Sequence, residues 1–223
     1  MIVFRDPAEV PPGFGPSVVV IGKFDGVHSG HRAVIDRARV KAVSLGATVV
    51  AVTFDRNPLA LLAPDKCPEN LIGVNQKVRL LADTGVDAVL VLRFDEDLAS
   101  LAADEFASLV LVDALAAEAV LVGADFRFGR GGVGTAQTLT AFGLSHGFEV
   151  DVVHDVRAAD RGRRVSSTWI RELLSSGDVV GARKLLGRDH SVVGEVVHGL
   201  KRGREIGYPT ANLSDDLEGF VPA

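Results

Sequence analysis

Short runs rich in β-branched residues recur along the first two thirds of the chain, and their spacing restricts the fold more than any other feature. They are Ser17–Ile21, Thr48–Phe54, Ala88–Leu92, Ala119–Val122 and Glu149–Val153. Successive runs start roughly 30 residues apart, the length of one βα unit. Within each run Val, Leu and Ala are nearly continuous instead of alternating with polar residues. Strands buried on both faces of a parallel sheet require such runs.

The intervening segments carry helical spacing. His31, Val34, Ile35, Ala38, Ala42 and Leu45 follow a 3/4 pattern that Gly46 closes. Asn75 is expected to cap a helix over Gln76–Thr84, with Gly85 as its stop. Asp104–Leu115 and Thr138–His146 read as two further helices. The sum is an open α/β sheet, which binds ligands beyond the carboxyl ends of its strands.

The pattern changes after residue 155. Ala158–Arg164 reads as a polar, basic loop, followed by short helices Thr168–Leu174 and Val179–Leu186 around the turn Ser176-Gly177-Asp178. Ser191–His198 reads as a strand, followed by Gly199, Gly203, Gly207 and Pro209. A domain boundary near Gly187–His190 therefore divides the chain into residues 1–187 and 188–223. The second piece is too small for an independent core.

Composition narrows the class. Hydrophobic residues make up 47% of the 223, enough for a sizeable core. The net charge of −5 argues against a nucleic-acid binder that relies on bulk charge. Mean hydropathy is high at +0.25, yet Arg, Asp, Gly or Pro interrupts every apolar run short of a membrane span. Met1–Pro12 holds Arg5, Asp6, Glu9 and three prolines and does not read as a signal peptide. Cys67 is the single cysteine, so neither an internal disulfide nor a Cys-rich zinc site is available. A cytoplasmic enzyme is the expected class.

The strongest local signal is Gly22-Lys23-Phe24-Asp25-Gly26-Val27-His28-Ser29-Gly30-His31, between the first strand and the first helix. Its glycines let backbone approach a ligand, and the helix offers unpaired N–H groups at a positive dipole end. His28 and His31, three apart, suit donors to a phosphate that gains charge in a transition state. Two other readings are zinc ligation, for which no Cys or third His is placed nearby, and ordinary surface histidines at a helix start. The Lys-Ser/Thr ending of a Walker A loop is absent.

This segment resembles the His-x-Gly-His signature of the nucleotidylyltransferase superfamily. In its extended form it resembles the bacterial bifunctional riboflavin kinase/FMN adenylyltransferases. Three other stretches are similar to motifs of that family. Thr53-Phe54-Asp55-Arg56-Asn57-Pro58 follows the second strand, with Asn57 where the family commonly has His. Gly123-Ala124-Asp125-Phe126-Arg127-Phe128-Gly129 follows the fourth, and Ser166-Ser167-Thr168-x-Ile170-Arg171 is the second signature. Beyond the boundary, Gly203-Arg204-x-x-Gly207-Tyr208-Pro209-Thr210-Ala211-Asn212 resembles the opening of the riboflavin kinase barrel.

The resemblance implies a Rossmann-like nucleotidylyltransferase sheet followed by the start of a riboflavin kinase β-barrel. It implies transfer of AMP from ATP to FMN, giving FAD and pyrophosphate with Mg²⁺, and riboflavin phosphorylation only in a longer chain. His28, His31 and Arg171 are the implied catalytic residues. Gly22, Phe24, Asp25, Gly26, Gly30, Ser166, Ser167 and Thr168 would bind ATP and its phosphates. Phe54, Asn57, Pro58, Asp125, Phe126 and Phe128 would line the flavin or substrate side, the two phenylalanines of the last motif mainly as packing residues. Thr210 and Asn212 would ligate the kinase Mg²⁺ through oxygen. Phosphates in one cleft would also account for Arg161, Arg163 and Arg164 in an acidic chain. Nucleotidyl transfer to another phosphate acceptor and a non-catalytic ATP- or flavin-binding module are the alternatives.

Overall fold

A computed structural model of the chain describes residues 1–153, 162–198, 207–208 and 211–223. The expectations at Ala158–Arg161, Gly199, Gly203, Arg204, Pro209 and Thr210 lie outside them. The elements run β1 (Ile2–Phe4), β2 (Ser17–Ile21), α1 (Ser29–Leu45), β3 (Thr48–Phe54), α2 (Leu59–Leu62), α3 (Val74–Ala82) and β4 (Ala88–Leu92). Then follow α4 (Glu96–Ser100), α5 (Ala103–Ala107), β5 (Ala117–Gly123), β6 (Arg127–Phe128), β7 (Gly134–Thr135), α6 (Ala136–His146) and β8 (Glu149–Val153). The chain continues through α7 (Ser167–Ser175), α8 (Val179–Leu186), β9 (Val196–Val197) and β10 (Asn212–Leu213).

Six strands form one parallel sheet in the order β1-β4-β3-β2-β5-β8. Side chains alternate between two buried faces. Val18, Val20, Val49 and Ala51 point to a core shared with α1, α7 and α8. Val19, Ile21, Val50 and Val52 point to a second core shared with α5 and α6. All positions of β2 and β4 are buried, which is why their sequences run apolar without alternation. The chain leaves β2 on one side through β3 and β4, and β5 takes the other side. The gap between the carboxyl ends of β2 and β5 is thus the switch point where such sheets open a crevice.

Several expectations need correction. β1 extends the sheet beyond β4 and was not foreseen; it is a three-residue edge strand with two exposed positions. Asn75 does not cap α3, because Gly73 is the N-cap and its N–H donates to the Gln76 side chain. The expected helix over Asp104–Leu115 is α5 running into a wider π-turn at Ser108–Ala114. Of Ser191–His198 only Val196–Val197 is strand, paired antiparallel with β10, while Val193 forms a single bridge with Glu218.

The residues after α8 return to the first core. Phe220 packs against it, its N–H donating to the Leu71 carbonyl. The Ala223 N–H donates to Leu174. Gln76 Nε2 donates to the Ser191 carbonyl and Asn75 Nδ2 to Glu218 Oε1. One face of residues 71–76 is therefore built on the chain's last residues.

Candidate active site

The loop from β2 to α1 has an uncommon backbone. Phe24, Gly26 and Val27 have φ of +47°, +85° and +39°, a region that residues with a Cβ rarely occupy. Its restraints come from every side. The Thr53 hydroxyl donates to the Lys23 carbonyl, and the Ser167 hydroxyl donates to the Asp25 carbonyl at 2.8 Å. Asp25 Oδ1 accepts from the Leu71 and Ile72 amides, while Oδ2 meets the Arg171 guanidinium. Phe24 is buried in the first core, and a Cβ on Gly22 would touch its ring. Phe24 and Asp25, both expected at the nucleotide, shape the loop, and Asp25 also lines the cleft that holds Lys23, Asn57 and Lys77. Gly26 is similarly tight, since a Cβ there would sit 2.9 Å from Leu71.

The loop ends at His28, the N-cap of α1, whose Nδ1 accepts from the His31 N–H at 3.3 Å. An imidazole accepting through Nδ1 carries its proton on Nε2 and presents that N–H as a donor. The two rings stack with centroids 3.6 Å apart, and Gly30 makes room, since a Cβ there would lie 3.1 Å from the His28 ring. Burial, reinforced by the charges of Arg164 and Arg188, pushes the pKa of His28 down to about 4. Burial likewise holds His31 well below the usual imidazole range, aided by His28, Lys77, Arg164 and Lys23. Both rings are neutral at pH 7. The positive potential at the loop therefore comes from the cations around the two rings. His31 Nδ1 is buried without a partner.

The second signature forms the N-terminus of α7. Ser166 is its N-cap, accepting from the Trp169 N–H. Ser167 is spent on Asp25, whereas Thr168 is exposed in the first turn. Arg171 reaches Asp25 and the Glu69 carbonyl, and its side chain is largely buried. Desolvation pushes the Asp25 pKa up despite that neighbour.

Across the crevice, at the carboxyl end of β5, Asp125 pairs with Arg164 at 3.0 Å, and Arg164 holds its carboxyl below the usual range. Phe126 stacks on Phe128 with centroids 5.3 Å apart, and Phe128 is buried against the second core. Arg163 belongs to the framework: it binds Glu172 through two hydrogen bonds and lies over the Trp169 ring. At the end of β3, Phe54 meets Phe94 edge-on. Asn57 Oδ1 accepts from the Leu59 N–H, so this residue turns the chain into α2, and Pro58 is the N-cap of that helix. A cleft beside it is lined by Lys23, Asp55, Arg56, Asn57, Asn70 and Lys77. Asn212 is exposed in β10, in register with Val197.

Three cations that the motifs did not single out belong to this region. Lys23 and Lys77 bear on His31, and the buried Lys77 ammonium donates to the Phe54 carbonyl at 2.9 Å. Arg188 donates to the Gly26 carbonyl at 2.8 Å. Lys77 shares a face with Val74 and Val78 in an apolar-patterned helix, a signal for burial that a lysine masks. Among the described residues no group of three or more His, Cys, Asp or Glu stands where it would hold a metal ion. Among the same residues no helix is long and apolar enough to cross a membrane.

Comparison with known proteins agrees with this layout. Residues 12–169 match the family model described as FAD synthetase, and residues 186–222 match riboflavin kinase. A bifunctional riboflavin kinase/FMN adenylyltransferase of Escherichia coli is 41% identical over 196 residues, 88% of this chain and 62% of that protein. The Bacillus subtilis protein of the same description is 36% identical over 207 residues, 92% of this chain and 64% of that protein. The chain thus spans just under two thirds of the length of these relatives. A crystal structure described as a macrolide-efflux protein from Streptococcus pneumoniae superposes with a TM-score of 0.83 at 34% identity, covering all of this chain and 71% of that one. With the histidine loop, five of the six sheet strands and the start of the α7 signature inside the matched residues 12–169, the chain belongs to the FAD synthetase family.

Proposed function

We propose that this chain transfers the adenylyl group of Mg·ATP to the phosphate of FMN, releasing pyrophosphate and forming FAD. The observation that carries the reading is the pair of neutral, stacked histidines at the N-terminus of α1, braced by the α7 signature and opening on the sheet's switch point. The acceptor is an ionised phosphate oxygen, so no strong general base is needed. Catalysis then consists of aligning two anions and spreading the charge that builds on the α-phosphoryl oxygens.

His28 Nε2–H and His31 supply donors to those oxygens. Because the rings are neutral, the cost of bringing two polyanions together falls on Lys23, Lys77, Arg164 and the α1 dipole. Thr168 and the first amides of α7 receive the departing pyrophosphate, while Arg171 holds Asp25 and with it the loop that carries His28. The cleft beside Phe54, Asn57 and Pro58 and the Phe126–Phe128 stack form the flavin side. Mg²⁺ is treated as part of the nucleotide substrate, since the described residues offer no cage of carboxylates for a resident ion. We place the domain division at Gly187. Riboflavin phosphorylation is assigned to a longer chain, because this one spans just under two thirds of the bifunctional relatives.

Mass spectrometry of the product after incubation with ATP, Mg²⁺ and FMN tests the reading. FAD and pyrophosphate in equal amounts are expected, and riboflavin in place of FMN should give no FMN. Binding of both nucleotides without pyrophosphate release would refute the assignment.

A further inference from the structure

Arg188 follows Gly187, the left-handed residue that closes α8, and no step of the proposed chemistry uses it. Its guanidinium turns back toward the first domain. Nη2 donates to the Gly26 carbonyl at 2.8 Å, and Nη1 lies 3.4 Å from the carbonyls of Val27 and Leu186. Gly26 and Val27 are the two residues that lead into His28, and both have positive φ. For Val27, a β-branched residue, such a conformation costs on the order of 1–3 kcal/mol and persists only where surrounding structure enforces it. The Thr53 and Ser167 hydroxyls act earlier in the loop, at Lys23 and Asp25, and the Val27 N–H donates to the Phe24 carbonyl. Arg188 holds the carbonyls next to the histidine.

The arrangement is costly for the cation. Burial and the neighbouring charge of Arg32 push its pKa down to about 10, while Asp83 opposes the shift. Its hydrogen bonds go to neutral carbonyls, and among the described residues no carboxylate is hydrogen-bonded to this half-buried arginine. Arg188 also lies outside the FAD synthetase match and inside the riboflavin kinase match.

We propose that Arg188 is a positioning residue for adenylyl transfer, fixing the Gly26 and Val27 carbonyls, and through them His28, from the part of the chain assigned to the second domain. Its effect on turnover rests on the function proposed above; its effect on the loop does not.

The test compares Arg188→Met and Arg188→Lys in the full 223-residue chain, with Arg183→Met as control. Arg183 is an exposed residue of α8 paired with Asp189, so it reports generic loss of charge nearby. Hydrogen exchange is followed by mass spectrometry on peptides covering residues 22–31, alongside kcat and KM for FMN. For Arg188→Met we expect roughly tenfold faster exchange in those peptides alone and kcat lower by about 10²-fold, the scale of a small misplacement of catalytic groups. KM for FMN should stay within about twofold. Arg188→Lys, which keeps a donor without the fork, should recover part of kcat. Unchanged exchange at residues 22–31, exchange that rises uniformly over the molecule, or unchanged kcat in an enzyme that forms FAD would overturn the proposal. If Arg188→Met does not fold, wild-type exchange and kcat in Arg188→Lys overturn it equally. If the wild type forms no FAD, the function falls and the exchange result still decides the clamp.

Discussion

His28 combines three roles that separate experimentally: it caps α1, it is a buried neutral imidazole, and it is assigned to the transferring phosphoryl group. Substituting His28→Asn keeps the first role, because Asn is a strong N-cap, and removes the other two. The stability consequence follows from the depressed pKa. An unfolded histidine takes up a proton near pH 6.5, whereas native His28 refuses one until about pH 4. The folded state is therefore favoured above pH 6.5 and loses that advantage as pH falls toward 4. Between pH 7.5 and 4.5 this one group should weaken the wild type by about 2.5 kcal/mol. Urea unfolding at both pH values, in wild type and in His28→Asn, isolates the term, because His31 and the carboxylates titrate in both proteins. The wild-type midpoint should fall further than the variant's, by roughly 1 M urea. Activity at pH 7.5 should fall by roughly 10²–10³ with the cap intact. Parallel pH dependences in the two proteins would refute the buried-neutral assignment, whatever happens to activity.

Two further outcomes follow from packing and charge. A Cβ on Gly73 would lie 2.4 Å from the Glu218 carboxyl carbon, so Gly73→Ala should destabilise by about 1–3 kcal/mol. Gly73→Ala/Glu218→Ala should regain much of that loss, and a double-mutant cycle by urea unfolding measures the coupling. Asp125 and Arg164 form an exposed pair worth at most about 1 kcal/mol, so Asp125→Ala should leave Tm nearly unchanged. The same variant should alter KM for ATP or FMN in steady-state assays; unchanged KM values would remove Asp125 from the substrate side.

How much could be read in advance depended on whether one physical requirement dominated a residue. The strands at Ser17–Ile21 and Ala88–Leu92 were legible to the residue because burial on both faces leaves no room for polar positions. Gly46 marked a helix end for a similar reason, since it takes up the left-handed conformation. β1 was missed because two of its three residues are exposed and its partner, β4, lies more than 80 positions later. At the candidate site, spacing indicated that the two histidines lie together, but not that they are neutral, which depends on burial by distant segments. Asp25 and Arg171 looked like ligand-facing groups and are each other's partner. Arg188 carried no signal and that of Lys77, its apolar helix face, was masked, because a charged residue in a helix or after a glycine stop ordinarily points to solvent.

The return of the chain's last residues onto Leu71 and Leu174 has a consequence for how the protein unfolds. One family match ends at residue 169 and the other begins at 186, yet the amides of Leu71 and Ile72 bind Asp25 on one side while the Leu71 carbonyl accepts from Phe220 on the other. Disrupting either attachment exposes the other. Sequence families divide this chain in two, whereas its hydrogen bonds tie the final segment and the histidine loop to the same two residues, and the two are expected to open together.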